Sequence, residues 1–245
     1  MSTRRLASFN LQKGRRIGSN YEVEEKLGGG IEGEVYRVRD RRTGIVRAAK
    51  LFFPHRDRDG TLMARQARKL EALSDCPIIM KYFHSEEVRV GQVRATAMIS
   101  AYSPGLTLRA WLDRQRGKRV RSSFVALMIL HRLASGIEDI HDRGEYHADV
   151  HSENILIRQI GVDFELKLID FYDWGRPSRA KQQNDILESV RVLHDMIGGA
   201  RGYRTAPQEV RDVCRGLRHD LILRDFPTIG ALRAHLEDFE ATEMP

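Results

Sequence analysis

The spacing of apolar positions changes once along the chain. From Tyr21 to Phe53 they tend to alternate with polar ones, and β-branched and aromatic residues are frequent. This predicts strands over Tyr21–Leu27, Glu34–Arg39 and Val46–Phe53. Glycines separate the first two, and Arg42-Thr43-Gly44 makes a turn before the third. Met63, Ala67, Leu70 and Leu73 then recur at helical spacing, which predicts a helix over Leu62–Leu73 stopped by Cys76-Pro77. Ile78–Glu87 and Gln92–Tyr102 read as two further strands. The first part of the chain thus predicts a five-stranded antiparallel sheet carrying one helix.

Ser103-Pro104-Gly105 is a break, and helical patterns dominate after it. Phe124, Leu127, Leu130, Leu133, Ile137 and Ile140 form one stripe over Ser123–His141. Ile186, Val190, Leu193 and Ile197 do the same over Asp185–Ile197. Thr228 is placed to cap a last helix bearing Ile229, Leu232, Leu236 and Phe239. Two short strands, Ile155–Arg158 and Glu165–Ile169, interrupt the helices. The expectation is an α+β, bilobal plan: a basic arm over 1–19, a small β-rich lobe over 20–102 and a larger α-helical lobe over 103–245. A cleft between lobes is a preferred ligand site. No internal repeat or low-complexity segment breaks this plan.

Composition narrows the class. The chain has 245 residues, 41% hydrophobic and 31% charged, as expected of a soluble globular protein. No apolar run approaches the roughly 18 residues that span a bilayer, and Met1–Arg16 lacks the apolar core of a signal peptide. Cys76 and Cys214 are too few for a disulfide framework or a metal knuckle, so a reduced, cytoplasmic setting is expected. Net charge is +7, but Arg4, Arg5, Lys13, Arg15 and Arg16 carry five of those charges within residues 1–19, where no acid occurs. The rest is mildly basic, which argues against nucleic-acid binding. The arm reads as a disordered, solvated tail, with Ser8 after Arg4-Arg5 as a candidate modification site. Arg114, Arg116, Lys118, Arg119 and Arg121 read as a solvated basic loop.

Candidate chemistry lies in three places. Gly28-Gly29-Gly30-Ile31-Glu32-Gly33-Glu34-Val35 fits G-x-G-x-x-G-x-V between two strands. Glycines let backbone N–H groups approach phosphate oxygens with no Cβ in the way. Lys50 stands on the third strand beside Leu51-Phe52-Phe53, where an ammonium is costly without an anionic partner. His147-Ala148-Asp149-Val150-His151-Ser152-Glu153-Asn154 follows the long helix and opens into a strand. There a carboxylate can orient a hydroxyl and take its proton, and an amide oxygen can hold a hard cation. The next strand runs into Asp170-Phe171, a second carboxylate for such a cation.

Together these motifs resemble the eukaryotic-like protein kinases over about residues 20 to 240. The resemblance implies a protein-kinase-like fold, ATP and Mg²⁺. Gly28, Gly30, Gly33 and Val35 would form the glycine-rich loop. Leu27, Val35, Ala48 and Leu156 would sandwich adenine, with Ser100 as gatekeeper and the backbone of Ala101 and Ser103 meeting the base. Lys50 would bind the α- and β-phosphates, Asp149 would be the catalytic base, and Asn154 and Asp170 would hold Mg²⁺. Asp185 would open the central helix of the large lobe and anchor the backbone of the loop that begins at His147.

The pattern also departs from that family. Gln66 stands where a helix-borne glutamate pairs with the lysine, and Glu71 lies on the wrong face to replace it. Ala148 replaces the usual arginine. His151 replaces the usual lysine, as in aminoglycoside phosphotransferases and the UbiB/ABC1 family, and its help to the γ-phosphate would depend on pH. Tyr172 replaces the glycine after Asp170-Phe171, and Asp173-Trp174-Gly175 is a competing match. Asp170 and Asp185 are only 15 positions apart and the Ala-Pro-Glu motif is absent. Three functions stay open: a minimal Ser/Thr-type protein kinase with a shortened activation segment, a small-molecule kinase, and a nucleotide-binding pseudokinase acting as a partner module. The acceptor is accordingly a protein or small-molecule hydroxyl.

Overall fold

Alternation along the strand Val46–Phe52 sets the architecture of the first half. Ala49 and Leu51 point into a core, and Ala48 and Lys50 point to the opposite face. The computed structural model describes residues 6–115, 122–171 and 175–239. Arg4, Arg5, Arg116, Lys118, Arg119, Arg121 and Tyr172-Asp173-Trp174 lie outside the described residues. The chain divides into two units, Met1–Asp75 with Met80–Ser103, and Cys76–Ile79 with Pro104–Pro245.

The first unit, among the described residues, holds β1 (Arg16–Ile17), β2 (Tyr21–Gly29), β3 (Gly33–Asp40), β4 (Val46–Phe52), α1 (Thr61–Ala72), β5 (Tyr82–Val90) and β6 (Val93–Ala101). The strands form one antiparallel sheet in the order β1-β2-β3-β4-β6-β5. Six strands stand where five were expected. The extra one comes from the arm, whose Arg16 and Ile17 pair with Glu22 and Tyr21.

From Leu6 onward the arm is therefore no solvated tail. Phe9, Leu11 and Ile17 are buried with Val23, Tyr36, Leu51 and Phe53, and the Phe9 ring stacks on Phe53 at 5.2 Å. Glu34 ties the arm down. Its buried carboxylate accepts hydrogen bonds from Ser8 Oγ (2.7 Å), the N–H groups of Phe9 (3.1 Å) and Asn10 (3.2 Å), Lys26 Nζ (2.5 Å) and the Tyr36 hydroxyl. Burial would push this carboxyl up, but the bonds from Lys26, Ser8, Tyr36 and Phe9 outweigh it and bring it down to about 2. The sequence hides this because the arm's few apolar anchors are spaced among basic residues, and Glu34 looks like a strand-surface acid.

In the second unit lie β7 (Leu106–Thr107), α2 (Leu108–Arg114), α3 (Ser123–Asp142), β8 (Ile155–Ile160), β9 (Asp163–Leu168), α4 (Arg179–Met196), α5 (Gly199–Arg204), α6 (Gln208–Cys214), α7 (His219–Asp225) and α8 (Ile229–Glu237). β7, β8 and β9 make a small antiparallel sheet. The α3 stripe is buried from Leu127 to Ile140, but Phe124, in the first turn, is exposed. Thr228 caps α8 by accepting the Ala231 N–H at 3.1 Å. The strand expected from Ile78 begins only at Tyr82. Ile78 and Ile79 belong to the second unit, where Leu168 N–H donates to the Ile78 carbonyl at 2.8 Å and Ile79 bridges Leu168. Gly136 on α3 makes room for them, since a Cβ there would lie 2.4 Å from Ile78 Cδ1. No helix among the described residues is long and apolar enough to cross a membrane.

Candidate active site

The sheet register gathers the first group of candidate residues. Gly28 pairs with Val35, Val35 with Lys50, and Ala48 with Ser100, so these positions lie on adjacent rungs across β2, β3, β4 and β6. Leu27 is exposed. Ala101 donates its N–H to the Lys81 carbonyl at 2.8 Å, so its carbonyl is what it could offer a base. Ser103 follows two residues beyond the end of β6 and is half-buried.

The glycines separate into two kinds. A Cβ on Gly33 would stand 1.9 Å from the Leu51 carbonyl oxygen, so β3 can approach β4 only with glycine there. Gly28 and Gly30 have nothing within 4 Å of a Cβ and no left-handed backbone. Among the described residues no packing contact demands glycine at those two positions, which suits a loop that must leave room for a ligand.

Lys50 ends within this group. Its Nζ lies 2.7 Å from Glu32 Oε2 and 3.4 Å from Gln66 Oε1, and Gln66 Nε2 donates to Glu32 Oε2 at 2.9 Å. Glu32 sits at the tip of the glycine-rich loop. Gln66 occupies α1 at the register expected from sequence, and Glu71 is exposed.

The second group is built on one loop. Asp185, fully buried on α4, accepts the N–H of His147 at 2.8 Å and of Ala148 at 2.7 Å, and also meets His141 Nε2 at 3.0 Å. These bonds hold Ala148 at φ 72°, a left-handed conformation that costs a non-glycine residue roughly 1–3 kcal/mol. His147 Nδ1 accepts the Asp149 N–H at 3.3 Å, so its Nε2–H donates to the Ile169 carbonyl, 3.1 Å away. Asn154 Nδ2 donates to Asp149 Oδ2 at 2.9 Å and to the Asp149 carbonyl at 3.0 Å. Ile169 donates its N–H to the Asn154 carbonyl at 3.0 Å. Asp170, exposed with φ 55°, is thereby tied to the loop through its neighbour, and the Phe171 ring lies 4.4 Å from His147. His151 Nε2 stands 3.5 Å from Asp149 Oδ2, with both side chains open to solvent. Leu156 is half-buried on β8.

The donor chemistry suits a hard cation. With its Nδ2 given to Asp149, Asn154 has its amide oxygen as the remaining ligand atom, and Asp170 adds a carboxylate. No group of three or more His, Cys, Asp or Glu able to hold a metal occurs among the described residues. Two protein oxygens completed by phosphates are what Mg²⁺ ordinarily takes. Cys214 offers no nucleophile, since burial pushes its thiol up to about 12.

The family model for the protein kinase domain matches residues 21–205. The chain belongs to the protein kinase domain family. Cyclin-dependent kinase G-1 of Oryza sativa subsp. indica is 27% identical over 207 residues, covering 81% of this chain and 28% of that protein. Serine/threonine-protein kinase PkaA of Streptomyces coelicolor is 29% identical over 171 residues, covering 64% of this chain and 30% of that one. The chain thus spans less than a third of the length of either relative. Among solved structures, the PknI kinase domain of Mycobacterium tuberculosis, as a double mutant, matches with a TM-score of 0.64 and 21% identity over 93% of this chain and 96% of that one. That likeness establishes the fold.

Within this kinase domain the structure corrects one expectation and adds two residues. Asp185 does not open its helix. α4 begins at Arg179, with Ser178 as its cap, so Asp185 lies in the second turn. Glu188, one turn on from Asp185, accepts the Val150 N–H at 2.8 Å and so clamps the same loop. Burial pushes its carboxyl up, against the bonds from Val150 and Asn184. The i, i+3 spacing of two acids on the buried side of a helix was its only sequence signal. Glu32 left none, because a loop glutamate between glycines reads as solvent-facing.

Proposed function

We propose that this kinase domain is an ATP- and Mg²⁺-dependent phosphotransferase acting on hydroxyl groups, with serine or threonine of a protein as the first candidate acceptor. The observation that carries the reading is the Asp149–Asn154 pair on a loop clamped by Asp185 and Glu188. Asp149 is partly exposed, so an incoming hydroxyl can reach its carboxylate, which would orient that hydroxyl and accept its proton. Asn154 fixes the carboxylate's rotamer. Lys50 would bind the α/β-phosphates, and Gly28, Gly30 and Val35 would cover them. Leu27, Ala48, Ser100, Ala101, Ser103 and Leu156 would receive the base. Asn154 Oδ1 and Asp170 would hold Mg²⁺, which supplies charge neutralisation on the transferring phosphoryl group. The relatives named as serine/threonine kinases support the acceptor class. A cytoplasmic location belongs to this proposal on cysteine usage alone.

One observation favours a second reading. Only eight residues, Phe171–Ser178, separate Asp170 from the start of α4. Such a segment is short for docking a peptide, so a small-molecule hydroxyl is the alternative acceptor. Labelled ATP with Mg²⁺, supplied alone, with basic protein substrates and with a metabolite panel, separates them. Label on protein that disappears in both Asp149→Ala and Asp170→Ala supports the first. Label only on a metabolite supports the second. Nucleotide binding with no transfer to any acceptor would make the chain a pseudokinase and refute both.

A further inference from the structure

Lys50 is 12% exposed and stands on a strand whose neighbours are apolar. An ammonium in that position needs a counter-charge held close. The helix facing it offers an amide, Gln66, where the sequence comparison leads one to look for a carboxylate. The carboxylate comes instead from the glycine-rich loop. We infer that Glu32 is the residue that positions Lys50 for phosphate binding, with Gln66 as the bridge that holds the pair. This inference rests on the phosphotransferase reading of Lys50.

Three observations support it. First, Glu32 is fixed at its backbone. Its carbonyl accepts the Phe53 N–H at 2.8 Å, and the Gly30 N–H to Gly33 carbonyl bond, 2.9 Å, closes the loop around it. Second, the close approach of Gly33 to Leu51 brings this loop down onto β4 at the residue next to Lys50. Third, Gln66 is 3% exposed and matches the pair in hydrogen-bonding sense: its Nε2–H donates to Glu32 while its Oε1 accepts from Lys50. A carboxylate at position 66 could accept from Lys50 but could not donate to Glu32. It would also set two negative charges side by side. The amide is therefore the complement of a carboxylate that has moved from helix to loop. The consequence is that the lysine's orientation depends on where the loop rests as well as on α1, which reaches the pair through Gln66.

The test is a charge swap in the full chain, with ATP and Mg²⁺ as probes. Three variants are compared with the unmodified protein: E32Q, the double variant E32Q/Q66E, and K50M as reference. Readouts are kcat, KM for ATP, the Kd of a fluorescent ATP analogue and the thermal midpoint. E32Q leaves Lys50 charged but loosely aimed, so kcat should fall about 30- to 100-fold with a smaller change in KM. E32Q/Q66E returns a carboxylate to the lysine from the helix side and should recover most of that loss. A merely structural defect would not be rescued in this way. The inference is overturned if E32Q matches or exceeds the unmodified protein in kcat/KM, or binds the analogue more tightly, because Glu32 would then be competing with phosphate. It is equally overturned if E32Q loses activity at an unchanged midpoint and the double variant recovers none of it. If K50M itself binds and turns over ATP like the unmodified protein, the phosphotransferase reading fails and this inference fails with it.

Discussion

Asp185→Asn is the sharpest probe of how the loop that carries Asp149 is held. The aspartate gives one oxygen to the Ala148 N–H (2.7 Å) and the other to the His147 N–H (2.8 Å) and His141 (3.0 Å). Asparagine has one acceptor oxygen and one NH₂ group. Whichever way the amide lies, a donor faces a backbone donor in a site with no exposure. A hydrogen bond to a charged group contributes about 1.5–3 kcal/mol, and a buried donor left unsatisfied adds a further 1–3 kcal/mol. Relaxation of Ala148 out of its left-handed backbone returns roughly 1 kcal/mol. The net expectation is a loss of about 3 kcal/mol, which for a chain of this size lowers the thermal midpoint by about 6–12 °C. Differential scanning fluorimetry and urea melts measure the loss, and hydrogen exchange at residues 147–150 locates it. Activity should fall with it, because Asp149 follows directly on the released peptide groups. A midpoint within about 2 °C of the unmodified protein, with those amides still protected, would refute the account: Asp185 would then be a passenger.

Other perturbations separate packing from chemistry. The Glu34 carboxyl titrates at about 2 when folded, below its ordinary 4.5, so its bonds stabilise the fold fully above pH 4.5 and are lost as pH falls toward 2. The contribution at neutral pH is about 3 kcal/mol, and Glu34→Gln should both lower the neutral-pH midpoint and flatten its decline between pH 5 and 3, read by urea melts across that range. Gly33→Ala should cost about 3 kcal/mol by pushing β3 off the Leu51 carbonyl, whereas Gly28→Ala and Gly30→Ala should leave the unfolding free energy within about 0.5 kcal/mol and weaken only nucleotide affinity. Equal destabilisation by all three would show that the glycines serve packing alone.

The plan of both units was legible because burial imposes simple periods. Alternation on β3 and β4 and the stripe on α3 follow from one face meeting a core, and those spans match the structure to within a residue or two at most ends. What escaped notice depends on contacts between positions far apart in sequence. The arm looked like a tail because Phe9, Leu11 and Ile17 have no local period. The sheet tells them where to rest: β3 through Glu34 and Tyr36, β2 through its pairing with Ile17, and Phe53 through its stack on Phe9. Phe124 reads as buried because the stripe includes it, yet in the first turn of α3 its side chain is exposed. Ile78 and Ile79 looked like strand because they are β-branched, yet they pack on Gly136 and Leu168.

Chemistry shows the same division in a more useful form. Motif order named Lys50, Asp149, Asn154 and Asp170, since each lies on or between elements whose pattern is readable. It also flagged Gln66 as a missing charge. A missing charge beside a retained, nearly buried ammonium is a physical contradiction, and the chain must resolve it somewhere. Glu32 resolves it from a direction that the linear pattern does not suggest, because the loop folds back over β4 only through the close approach that Gly33 permits. Hence a departure from a family pattern at a buried charge is poor evidence for lost function where another element supplies a carboxylate to the same ammonium. Glu32 and Gln66 together give the same lysine an altered support, and E32Q with E32Q/Q66E decides whether the support is functional.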